Sequence, residues 1–149
     1  MKKLLMTAVF LFASPCLAEW TASILGGTDE SAVIALGHSK SESKVEFGLS
    51  ILTADDAGPG WRTAIGPYGA YEANVPGISP GDATSFLGVA AQVDMDSQNL
   101  IYTAFAGLLV DPDSQVSPVA LYRHNSFPGY SGAMVDQGSV WLAGLRFRF

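Results

Sequence analysis

Hydrophobic and polar positions alternate with a period of two through much of this chain, most regularly over its last nine residues. Trp141, Ala143, Leu145, Phe147 and Phe149 fall on one face of an extended strand; Leu142, Gly144, Arg146 and Arg148 fall on the other, because successive side chains point to opposite sides. An unbroken apolar face backed by two arginines suits a wall between lipid and a polar interior. Upstream, short β-rich runs are separated by turn clusters, and no amphipathic helix is evident. The pattern predicts eight strands, over residues 20–28, 31–37, 44–53, 61–72, 84–93, 99–110, 117–126 and 139–149. Most approach the roughly 9–11 residues that a tilted membrane-crossing strand needs. The turn material is explicit: Asp55-Asp56-Ala57-Gly58-Pro59-Gly60, Val75-Pro76-Gly77-Ile78-Ser79-Pro80-Gly81 and Asp111-Pro112-Asp113.

The N-terminus points to export. Lys2 and Lys3 form a basic segment, residues 4–12 are apolar but too short to span a bilayer as a helix, and Pro15-Cys16-Leu17-Ala18 supplies small residues for cleavage after Ala18. The expected organisation is a signal peptide over residues 1–18 and a β-barrel domain over 19–149. A lipoprotein reading at Cys16 is poorly served by the proline directly before it. Cleavage removes two lysines and no acid, so the formal charge of −6 becomes −8, and the sole cysteine is lost. Disulfides, thiol nucleophiles and cysteine metal sites are thereby excluded from the mature chain. So acidic a protein lacks the positive footprint of nucleic-acid binding.

Hydrophobic residues make up 48% of the chain, and a soluble sandwich buries one face of each sheet in the same alternating way. The terminal strand, the even strand count and aromatics near strand ends (Trp20, Trp61, Tyr68, Tyr71, Tyr102, Tyr122, Trp141) favour an all-β, eight-stranded antiparallel transmembrane β-barrel in the cell outer membrane. Lipid cannot satisfy an open strand edge, so the sheet must close. Eight strands leave an interior filled by side chains, which makes a wall and not a general pore. The terminal phenylalanine resembles the signal that bacterial outer-membrane proteins present to their barrel assembly machinery, an expected partner alongside outer-membrane lipids. Homodimerisation stays open.

With both termini in the periplasm, the seventh strand ends at the cell surface. If Arg123 points inward, His124 and Ser126 point toward lipid at the level of the outer head groups, where polar side chains cost free energy without partners or a task. Histidine is the usual base for activating a serine, and a carboxylate on its far ring nitrogen would orient it. Asp136, expected across the loop just before the eighth strand, is the candidate acid. The plain alternative is a polar pair at the wet rim of a barrel.

Arg123-His124-Asn125-Ser126, a Gly/Pro-containing loop and a final strand ending in aromatics resemble the lipid A 3-O-deacylases (acyloxyacyl hydrolase-like), small outer-membrane esterases of Gram-negative bacteria. The match covers roughly residues 122–149. The resemblance implies a serine hydrolase acting on lipopolysaccharide, with His124 as general base and Ser126 as nucleophile on an acyl ester of lipid A. It implies no metal and no cofactor. Phe127 stands where the family usually has an asparagine, and Gly138 where it has a glutamate, which leaves Asp136 as the nearest carboxylate. Backbone N–H groups of Gly129 or Tyr130 are candidates for the oxyanion.

Other motifs carry less. Gly129-Tyr130-Ser131-Gly132 lacks the strand-to-helix elbow of a hydrolase serine. Asp94-Met95-Asp96-Ser97-Gln98 and Asp111-Pro112-Asp113-Ser114-Gln115 lack the glycine and glutamate of a calcium hand, and read as turns at opposite ends of the sixth strand. Asp94 and Asp96 remain candidates for a divalent ion bridging lipopolysaccharide. His38 and Glu72 fall toward the periplasmic side, and residues 39–44 read as a solvated turn. Three functions compete: an esterase on lipid A, a non-catalytic barrel with a structural, adhesion or surface-interaction role, and a secreted soluble barrel for an apolar ligand. Deleting Phe149 is expected to lower the amount of folded barrel in isolated outer membranes, read as loss of the fast-migrating band on unboiled gels.

Overall fold

Eight antiparallel strands follow one another around a closed barrel in this computed structural model, which describes residues 18–28, 31–40, 43–55, 61–128 and 134–149. They are β1 (Ala18–Gly27), β2 (Ala32–Lys40), β3 (Val45–Asp55), β4 (Trp61–Asn74), β5 (Ala83–Asp94), β6 (Leu100–Val110), β7 (Val116–Pro128) and β8 (Met134–Arg148). Each strand pairs with its chain neighbours, and β1 pairs with β8, from Thr21 opposite Arg148 to Gly27 opposite Leu142. Beyond the ladder, Phe149 N–H donates to Trp20 C=O at 2.9 Å, so the last residue closes the seam. The expected strand count and circular order are those observed. The expected signal peptide lies outside the described residues, apart from Ala18.

Alternation sorts the side chains into two populations. On β6, Ile101, Thr103 and Leu109 are buried inside, while Leu100, Tyr102, Leu108 and Val110 face out. Similar faces on the other strands make a nearly continuous apolar exterior that includes Ile24, Leu36, Phe47, Val89 and Trp141. One apolar group inside gathers Leu25, Phe86, Leu109, Val119, Leu121 and Leu142. A second, of Leu52, Ala64 and Ile101, lies toward the end of the barrel opposite the termini.

Toward the terminal end the interior turns ionic. Arg146 bridges Glu46 and Glu72, with Nη1 2.9 Å from Glu72 Oε1 and Nη2 in direct contact with Glu46 Oε2. The Tyr68 hydroxyl donates to Glu46 Oε1 at 2.6 Å and the Thr21 hydroxyl to Glu46 Oε2 at 2.9 Å. A buried charge is tolerable when paired and hydrogen-bonded in this way. Two glycines make the room: a Cβ on Gly37 would strike the Tyr68 hydroxyl and the Glu46 carboxyl, and one on Gly48 would strike the Leu36 carbonyl and the Tyr68 ring. Tyr68, expected among the aromatics near strand ends, is therefore an interior residue. It shares the inward phase of β4 with Ala64 and Gly66.

Strand limits differ from expectation mainly at the last hairpin. Strand β7 continues through Phe127 and Pro128, which pair with Val135 and Met134, and β8 starts five residues before Ser139. Pro128 ends the strand rather than interrupting it, consistent with proline's confinement to positions that need no ladder N–H. Likewise β2 extends through Ser39 and Lys40, so the expected turn at 39–44 is shorter. Leu142 is 2% exposed within the inner apolar group. Leu142→Ala is expected to cost about 2–5 kcal/mol, measurable by urea titration of the barrel in detergent micelles.

Candidate functional site

Strand β7 fixes the orientation of the first candidate. Val119, Leu121 and Arg123 are buried inside the barrel, so Ala120, Tyr122 and His124 face outward on the alternate phase. The inward arginine and outward histidine agree with the sequence reading. Immediately toward the terminal end on this outer face, Tyr122 packs on Trp141 with ring centroids 5.1 Å apart. Directly across the ladder, His124 is opposite Ala104 on β6 and Ser139 on β8.

Nδ1 of His124 lies 3.3 Å from Ser139 Oγ, a hydrogen bond in which the ring tautomer decides which group donates. Ser139 is a site residue that the sequence pattern does not single out. With Ser139 expected to open the eighth strand, there is no register from which to see that it sits opposite His124.

Beyond this row the ladder slips by one residue. An unshifted continuation from the His124–Ser139 row would set Gln137 opposite Ser126. Instead β8 uses one residue more than β7, and Asp136 stands opposite Ser126. The insertion is a bulge in which Gln137 and Gly138 share the position across from Asn125. Asp136 therefore lies within β8 and not in a loop before it, a correction that follows from the longer hairpin. The backbone brings the three predicted residues to two rows of one strand pair, on either side of the bulge: His124 with Ser139, and Ser126 with Asp136.

For residues 125–128 and 134–138 only the backbone is described, so the expected contacts of Ser126 and Asp136 with the His124 ring fall outside it. The proposed oxyanion donors Gly129 and Tyr130, and the Gly129-Tyr130-Ser131-Gly132 motif, also lie outside the described residues. On the outer wall, two open grooves share a border of Phe47, Gly69, Val89, Ala104 and His124. Gly69 and Ala104 keep their floor low between the larger side chains.

The remaining polar candidates have structural tasks. The Asp94 carboxylate, almost fully buried, accepts Asp96 N–H at 3.0 Å and the Ser97 hydroxyl at 2.6 Å, which builds the β5–β6 turn. Among the described residues no group of three or more His, Cys, Asp or Glu side chains is placed to hold a metal. The second acidic pseudo-repeat turns the chain at the other end of β6, as expected, and Ser117 Oγ donates to the Asp111 carbonyl at 2.8 Å. His38 stacks edge-on against Trp20 at 5.0 Å near the terminal end, where Glu72 is held by Arg146.

No family model and no curated protein matches this sequence. Among solved structures, Neisserial surface protein A (NspA) is similar at 14% identity and a TM-score of 0.57, covering 89% of this chain and 94% of that one. A barrel described under de novo design of transmembrane β-barrels is similar at 14% identity and a TM-score of 0.50, with the same coverages. At this identity the likeness concerns the fold, which is that of an eight-stranded transmembrane β-barrel. Because Ser139 is exposed, Ser139→Ala is expected to change stability by no more than about 0.5 kcal/mol. It should nevertheless shift the tautomer balance of the His124 ring, read from imidazole ¹⁵N shifts.

Proposed function

We propose that this chain is a small barrel of the cell outer membrane that acts as a non-catalytic structural or surface-interaction component. The carrying observation is the division of its surfaces: an apolar exterior around a closed wall, and an interior packed with side chains. Such a barrel is held by lipid on its outside and offers partners only its two rims. Similarity to a protein named as a surface protein supports the same reading. Lipopolysaccharide and other outer-membrane lipids would then be its solvent, and the far rim, with its four hairpin connections, its contact surface.

One observation favours a second reading. The ladder slip sets Asp136 across from Ser126, two residues beyond His124, whose outward side chain borders two grooves. In an esterase acting on lipid A, His124 would take the Ser126 proton as the serine oxygen attacks an acyl ester, return it to the departing lipid A hydroxyl, and then activate the water that releases the fatty acid from the serine, with Asp136 supporting the charged imidazole. The grooves would seat the acyl chain. Ser139 on Nδ1 competes for the ring position that such an acid would use, which puts the non-catalytic role first.

Expression in outer membranes, followed by mass analysis of lipid A, separates the two. The non-catalytic role predicts unchanged lipid A with the wild-type, Ser126→Ala and His124→Ala chains, all recovered folded in the membrane fraction. Loss of one hydroxyacyl chain with the wild type alone would replace it by the esterase, with Asp136→Asn then expected to slow the reaction without abolishing it.

A further inference from the structure

The barrel interior is not completely filled. A partly open interior cavity of about 80 Å³ is lined by apolar residues such as Phe86, Ala90 and Leu121, and by Ser50, Gln92 and Arg123. That volume has room for several water molecules. A second recess, of about 50 Å³, opens at the terminal end and is polar, with Glu19, Ser43, Lys44 and Arg148 on its walls. Among the described residues, the side chains that line both spaces are Glu46, Glu72 and Arg146. They are the ionic cluster described above, with Arg146 spanning the gap between two carboxylates on β3 and β4.

We propose that Arg146 is a stopper: the cavity and the terminal recess form one water path, interrupted where the guanidinium bridges Glu46 and Glu72. The two legs of the bridge differ. Glu46 is buried and also receives hydrogen bonds from Tyr68 and Thr21, whereas the Glu72 side chain is 24% exposed and meets Arg146 alone among the described contacts. The Glu72 leg is the one that lets go, and the arginine swings toward the recess while its partner stays fixed. Opening in this sense admits water to the cavity from the terminal end. Toward the far end Leu52, Ala64 and Ile101 pack against one another inside the barrel. The device goes beyond the proposed role and holds for either reading of His124.

The test places a unique thiol in the cavity. In a Cys16→Ser chain, Ala90→Cys puts a sulfur at a buried, inward position that lines the chamber, and Ser43→Cys provides an exposed reference at the terminal end. Labelling by a small neutral thiol reagent is followed on the folded protein in lipid vesicles. Slow labelling of Ala90→Cys is expected in the parent, with acceleration of roughly tenfold or more when Arg146→Ala is added. Glu72→Gln should give a smaller rise, and Leu52→Ala no change. If Arg146→Ala does not insert, Glu72→Gln decides the matter by the same readout. Unchanged labelling in the folded variants would overturn the stopper. So would parent labelling as fast as at Ser43→Cys, or an equal acceleration by Leu52→Ala, which would place the entrance at the other rim.

Discussion

Everything in this molecule depends on the seam between β1 and β8. A sheet whose outer face is apolar has nowhere to hide an unpaired edge, since lipid offers no partner to a backbone N–H or C=O. The chain meets that demand by pairing its first strand with its last, down to the exchange between Trp20 and Phe149. Once the ring is closed, the two phases of every strand acquire fixed meanings. One phase belongs to lipid and the other to a narrow interior in which each polar group must find its partner among residues far away in sequence.

The interior shows how that demand is met. Arg146 and Glu46 are 100 positions apart in the chain, yet closure brings them into contact through β1 and β2, with Gly37 and Gly48 clearing the space. Higher up, Gln92 on β5 donates to Ser50 on β3 at 3.0 Å, across the intervening β4. Polar contacts thus bind strands that the ladder does not join directly. Breaking one partner of such a cluster leaves a charge buried, which is costly, so the same groups that stiffen the barrel also determine where its interior meets water.

Much of this architecture is legible in the alternating pattern alone. Period-two runs and turn clusters identify all eight strands, and the two arginines of β8 reveal which phase faces inward. The candidate site is legible only in part. That His124 faces outward follows from Arg123 facing inward, but the partner of its ring does not. Ser139 faces His124 in the regular register of a strand longer than the pattern suggests, and Asp136 takes its place through a register shift that involves no unusual residue beyond Gly138. A bulge is a property of two strands together, and neither sequence alone announces it. The pairing of Glu46 with Arg146 is hidden for a related reason: it depends on the closure of the whole ring. Tyr68 escapes the pattern because an aromatic near a strand end serves lipid or interior according to a single step of phase.

That last point gives the bulge at Gln137 and Gly138 a wider meaning. Below it, the remainder of β8 is locked in phase with the wall, where one residue gained or lost would exchange every lipid-facing side chain for an interior one. Above it, the rim hairpin is already offset. The slip acts as a joint between two reading frames, so the rungs from Ser126–Asp136 to Pro128–Met134 keep a phase of their own without disturbing the frame of the barrel beneath.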